Sequence, residues 1–143
     1  MLPRVLLLSA ALALPLAAQA QAEAPDLLPG QWEFTSTTTV EGDMPIPDQN
    51  ETHQECLTQD EIDEAPMTLI EEEEGCELLE QDVSASGMDY RMRCTGEGGE
   101  ADIVGSMSYL QDRAEGTMRV EMTTPMGEMV MNTEIQAERL GDC

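Results

Sequence analysis

Thioether sulfur offers this chain its most distinctive chemistry. Met126-Gly127-Glu128-Met129-Val130-Met131 places three methionines within six residues, and soft sulfur ligands select Cu(I). Met126, Met129 and Met131 are therefore the candidate copper ligands. A plainer use competes with this one. Met88 and Met92, Met118 and Met122, and Met129 and Met131 recur at even spacing, with Val120 and Ile135 among them. Even spacing puts side chains on one face of a strand, and flexible methionine fills an interior that has few rings. The packing use is favoured, and no cofactor is expected.

Other reactive side chains are thinly spread. His53 is the only histidine and sits among polar residues beside Glu51 and Glu55. One histidine cannot build a His-rich metal site, and no nucleophile motif accompanies it. The acidic run Glu71 to Glu74 lacks the spaced ligands and glycine of a calcium loop. Gly96-Glu97-Gly98-Gly99-Glu100 is glycine-rich but acidic, so it suits a turn and would repel phosphate. No pair of carboxylates stands out for hydrolysis. The expectation is a protein that is not an enzyme.

Four cysteines remain: Cys56, Cys76, Cys94 and Cys143. They have no CxxC spacing, which disfavours thioredoxin-like chemistry and a zinc knuckle. The N-terminus reads as an export signal. Arg4 is followed by an apolar run, and Ala18-Gln19-Ala20 and Ala20-Gln21-Ala22 both fit an A-x-A cleavage rule. Residues 1–22 are thus expected to be a signal peptide cleaved after Ala20 or Ala22, leaving a single domain over 23–143. An even cysteine count behind such a leader implies disulfides in an oxidising compartment, the periplasm or outside the cell.

The elements that must position these groups are mostly strands. Pro29-Gly30 marks a turn before a half-buried strand in which Trp32, Phe34, Ser36, Thr38 and Val40 share a face. Residues 21–28 read as a loose tail and 41–55 as a loop, given Pro45 and Pro47. Thr58 and Glu61 fit a capping box, opening a short helix over 59–65 that Pro66 stops. A second short helix over 66–74 is a weaker expectation, because its acidic C-terminal end opposes the helix dipole.

From Cys76 the period changes to two. Strands are expected over 76–83, 88–95, 101–110, 116–124 and 128–138, joined by short turns. The fold class is mainly β: an antiparallel meander sheet or partly open barrel of about six strands, with one or two short helices and two disulfides. Four cysteines allow three pairings. Cys76 and Cys94 lie equally far from residue 85, so an in-register hairpin sets them opposite each other. That favours Cys76–Cys94 and leaves Cys56–Cys143.

Charge narrows the partners. Arg4 falls in the leader, so the exported part carries thirty acidic and five basic side chains, a formal charge of −25. Nucleic acid and anionic membranes would repel it. A cationic protein or peptide would be attracted, which makes an acidic inhibitor or sequestering role an alternative to a plain binding or structural module. No segment after the leader is apolar enough to span a bilayer.

The ordered set Pro29-Gly30-Gln31-Trp32-Glu33, Met44-Pro45-Ile46-Pro47, Cys56-Leu57-Thr58, Cys76, Cys94 and Gly141-Asp142-Cys143 resembles the bacterial family known as domain of unknown function 3617. The resemblance implies a small exported protein of Gram-negative bacteria with two disulfides, and it implies no catalytic residues. Expressed with its leader in a Gram-negative host, the protein should yield a mature form beginning at Gln21 or Glu23. Intact mass of the exported fraction checks this, and an unprocessed 143-residue chain would contradict it.

Overall fold

A computed structural model describes residues 23–43, 45–68 and 74–143. The leader and most of the Glu71–Glu74 run therefore lie outside the described residues. Alternating side chains produce seven strands: β1 (Gly30–Gly42), β2 (Gln49–Leu57), β3 (Cys76–Ser84), β4 (Gly87–Gly96), β5 (Gly99–Tyr109), β6 (Arg113–Thr124) and β7 (Gly127–Gly141). One helix, α1 (Gln59–Thr68), lies between β2 and β3. The strands form a single antiparallel open sheet in the order β2-β1-β7-β6-β5-β4-β3. This is the expected mainly-β meander, with one strand more.

β1 is the exception to chain-order pairing. It forms a hairpin with β2 on one side and pairs with the far end of the chain, β7, on the other. The register sorts side chains onto two faces. Trp32, Met88, Tyr109, Ala114 and Ala137 form the buried cluster of the inner face, with Phe34, Leu57, Leu78, Val83, Tyr90 and Met107 packed against it. Trp32 is fully buried and Met88 only 1 % exposed.

Several segments depart from the sequence expectation. Residues 49–57 are a strand, not a loop, and all but Leu57 are exposed. Their partners come from β1: Thr35 and Thr52 share a hydroxyl hydrogen bond, Thr37 donates to Asn50, and Gln54 donates to Glu33. The tail is also tied down. Asp26 N–H donates to Ala85 O, Leu28 N–H to Gln111 O, and Gln111 N–H to Asp26 O. Pro25 is buried, and Leu27 packs against the core. Trp32 Nε1 donates to Leu28 O at 2.9 Å, which satisfies the indole that burial would otherwise leave unpaired.

The capping box forms as expected. Thr58 N–H donates to Glu61 Oε2 at 2.8 Å, and Glu61 N–H donates to Thr58 Oγ1 at 3.3 Å. The bond from the Thr58 backbone, followed by that from its hydroxyl, holds the Glu61 carboxyl below its usual value. The helix then runs through Pro66 to Thr68 instead of stopping there. Proline removes a single N–H and so one turn-closing bond, which the helix tolerates as far as Thr68, the last described residue of this segment. Ile62 anchors it, at 2 % exposure. Residues 69–73, where the second helix was expected, lie outside the described residues.

Both disulfides have the expected connectivity. Cys76 and Cys94 are direct cross-strand partners. The adjacent Thr95 N–H donates to Gly75 O, which makes 76/94 the non-hydrogen-bonded pair where side chains approach closest. Cys56 pairs with Gln31 on β1, and Gln31 with Gly141 on β7. The Cys56–Cys143 bridge thus spans β1 and ties the strands on either side of it.

The two bridges close loops of 87 and 18 residues, which the chain-entropy relation converts to about 4.6 and about 3.2 kcal/mol. Replacing Cys56 and Cys143 with serine should therefore lower the urea-unfolding free energy more than replacing Cys76 and Cys94. Equal losses would show that strand pairing already holds the chain ends together.

Candidate functional site

Two arrangements bring chemistry-bearing side chains together, one on each face of the sheet. On the inner face the register aligns Met88 and Met92 of β4, Met107 of β5, Met118 and Met122 of β6, and Met129 and Met131 of β7. Met88 and Met92 are buried, whereas the other five are half-buried. Beyond the buried cluster, therefore, a strip of thioethers with Val120 and Ile103 faces partly outward.

The candidate copper ligands divide. Met129 and Met131 lie on this face, with Met122 directly opposite Met129. Met126 occupies the β6–β7 turn and is 80 % exposed. Alternation places Met129 and Met131 together, and the turn separates Met126 from them.

The inner face has an acidic margin. Glu51, His53 and Glu55 of β2 pair with Ser36, Phe34 and Trp32 and so share their face. The His53 ring stacks on Phe34 with centroids 5.1 Å apart, and Nε2 lies 3.8 Å from Glu55 Oε2. His53 is thus part of an exposed edge strand rather than a loop. Thr38 and Thr133 share a 2.9 Å hydroxyl hydrogen bond between β1 and β7, so the one buried polar residue among those described has its partner.

Tight packing limits how this face can adapt. The Tyr90 ring lies over Gly105, and burial pushes the phenols of Tyr90 and Tyr109 above their ordinary value. On the outer face, Arg91 and Arg93 of β4 and Arg119 of β6 surround a cleft with Leu79 and Val104 at its base. Asp102 holds Arg93 at 2.9 Å, and its hydrogen bond, with added charge from Glu100, raises the guanidinium above its usual range. Arg119 is held by Glu121 at 2.7 Å. Sequence reasoning missed this grouping. The Arg91-x-Arg93 spacing signals one outward face, but the third arginine is brought in only by the register.

The start of β1 and the end of β7 meet at one end of this sheet. Gly30 has φ of 151°, and a Cβ there would lie within 2.3 Å of Gly141 O. The residues around it, from Pro29-Gly30 to Gly141-Asp142-Cys143, are those that carried the resemblance. The family model described as "Protein of unknown function (DUF3617)" matches residues 27–143. The chain belongs to this family. No curated protein and no solved structure matches it. For this DUF3617 member, the matched span covers the whole sheet, both disulfides and α1. Among the described residues, no helix is long and apolar enough to cross a membrane, and no cluster of three His, Cys, Asp or Glu is placed to hold a metal.

The Tyr90–Gly105 contact is testable by a double-mutant cycle. A Cβ at residue 105 would fall 2.2 Å from the Tyr90 ring, so Gly105→Ala should cost about 1–3 kcal/mol. In a Tyr90→Ala background the same change should cost far less. Denaturant midpoints measure both, and equal costs would show that the ring does not occupy this space.

Proposed function

We propose that this protein is a non-enzymatic binding module of the periplasm that sequesters a cationic, amphipathic peptide segment on the inner face of its sheet. The observation that carries the reading is the pairing of two chemistries on one face: half-buried methionines across β6 and β7, and Glu51, His53 and Glu55 along the β2 margin. Methionine surfaces adapt to apolar partners of varied shape. The acidic margin adds an attraction that an apolar partner alone would not feel.

The surroundings support the same ligand class. Asp60, Glu61, Asp63 and Glu64 of α1 are exposed and extend the acidic surface. A charge of −25 on the exported part raises the encounter rate with a basic partner. Both edge strands carry unpaired backbone groups, which an extended peptide can join by β-augmentation. The disulfides are compatible with an oxidising compartment.

A Cu(I) role is the second reading. It is favoured by the cross-strand placement of Met122 against Met129, with Met131 two positions along the same face. With all four cysteines in disulfides, thioethers are the soft ligands left on this face. In that case Met122, and not Met126, completes the ligand set.

Methyl-labelled methionine NMR tests both readings. An alternating leucine–lysine peptide should shift the Met118, Met122, Met129 and Met131 methyls and leave Met126 unmoved. Binding should weaken steeply with salt, and acetylating the lysines should weaken it about tenfold or more. Salt-independent binding, or shifts centred on Met126, would refute the peptide reading. In an anaerobic Cu(I) titration, the copper reading requires that Met122→Leu release the metal to a chelator and that Met126→Leu not do so.

A further inference from the structure

We propose that the outer-face cleft formed by β3, β4, β5 and β6 binds a small monoanionic carboxylate that carries a short apolar body. This site lies on the face opposite the peptide surface and does not depend on it. The exported part has only five arginines against thirty acidic residues, yet Arg91, Arg93 and Arg119 gather around one cleft of about 340 Å³. Val104 is the cross-strand partner of both Arg91 and Arg119, so the two flank it from adjacent strands.

The three arginines are not equivalent. Arg93 is held by Asp102 and lies 3.4 Å from Glu100. Arg119 donates to Glu121 and to Asn132. Arg91 has no ion pair or side-chain hydrogen bond among the described residues, although Glu80 sits opposite it on β3. Its guanidinium fork is therefore available, and its geometry matches a carboxylate with two parallel hydrogen bonds.

The base of the cleft is apolar by construction. The β3–β4 register shifts between Leu78 and Glu80, so Leu79 is the extra residue of a bulge. Alternation past inward Leu78 turns Leu79 to the outer face, where it joins the arginine cleft, and the bulge keeps Glu80 on that side opposite Arg91. Leu79 is 40 % and Val104 44 % exposed, an apolar pair among charged neighbours.

Charge count selects the ligand. Asp102 and Glu100 offset Arg93 and Glu121 offsets Arg119, so the attraction on offer is that of the single Arg91 fork, with Glu80 opposite it. That suits a monoanion, while a dianionic phosphate would face two carboxylates. At physiological ionic strength the screening length is about 8 Å, so acidic groups farther than that from the cleft weigh little on a ligand held there.

The test is an octanoate titration of the mature, oxidised protein, followed by amide and methionine-methyl NMR. Octanoate should give saturable shifts at Arg91, Val104 and Arg119 while the Met118 and Met131 methyls stay still. Octanol and octyl phosphate should bind more weakly. Arg91→Gln should weaken octanoate about tenfold or more, whereas Arg113→Gln, a cation outside the cleft, should leave it unchanged. Both substitutions are at exposed positions, and an unchanged amide spectrum away from the substitution confirms the fold. The proposal is overturned by shifts confined to the inner face, by octanol binding as tightly as octanoate, by an indifferent Arg91→Gln variant, or by no saturation below about 10 mM.

Discussion

The pairing of β1 with β7 is the constraint on which the rest of the sheet depends. The strands β3 to β7 form a meander that hairpin connections alone can assemble, and β1 and β2 form a separate hairpin. Within the sheet, the register that sets Phe34 against Ala137 and Thr38 against Thr133 joins the two. Without it Trp32 and Phe34 would be parted from Ala137, the partner of Phe34 that continues the buried cluster into β6 and β5. Gly30 permits the close approach to Gly141, Arg139 Nε donates to Pro29 O at 2.8 Å, and Cys56–Cys143 spans the junction. Pro29-Gly30, Cys56 and Gly141-Asp142-Cys143, part of the set that carried the resemblance, therefore lie at a structural closure.

That closure matters because the core is lean. The described residues bury one tryptophan, one tyrosine and a few methionines and alanines, and the exposed ion pairs add little to stability. A surface of one dominant sign repels itself. Two covalent links that restrict the unfolded chain offset part of this. They do so without lysines or large rings, which the exported sequence largely lacks.

The legible parts of the fold were those where one face is apolar. Alternation from Cys76 onward exposed all five strands of the meander, and the symmetry of Cys76 and Cys94 about residue 85 exposed a disulfide. β2 was invisible for the opposite reason. As an edge strand it is exposed on both faces, so Gln49 to Glu55 carries no apolar pattern, and the prolines before it look like loop. The tail at 25–28 was equally hidden, because its anchors are backbone groups of Ala85 and Gln111. Linear clustering put Met126 with Met129 and Met131, whereas the sheet pairs Met129 with Met122 and leaves Met126 exposed in the turn. The arginine cleft needed the register, since Arg119 approaches Arg91 only through their common neighbour Val104.

A single strand shows how the two faces acquire different chemistry. In β4, Met88, Tyr90 and Met92 point inward, and Arg91 and Arg93 point outward. Period-two alternation obliges every strand to serve both faces, so the inner packing fixes the position of the outer arginines. Tyr90 seated over Gly105 sets the β4–β5 spacing at the point where Arg91 meets Val104. In β3, alternation past Leu78 likewise turns Leu79 outward, and the extra residue at the bulge returns Gln81 and Val83 to the inner face. A uniform ladder would have kept Leu79 outside but turned Val83 away from Met88 and the inner face. Leu79 of β3 and Val104 of β5 thus give the surface arginines of β4 and β6 a shared apolar floor, and the row becomes an open cleft.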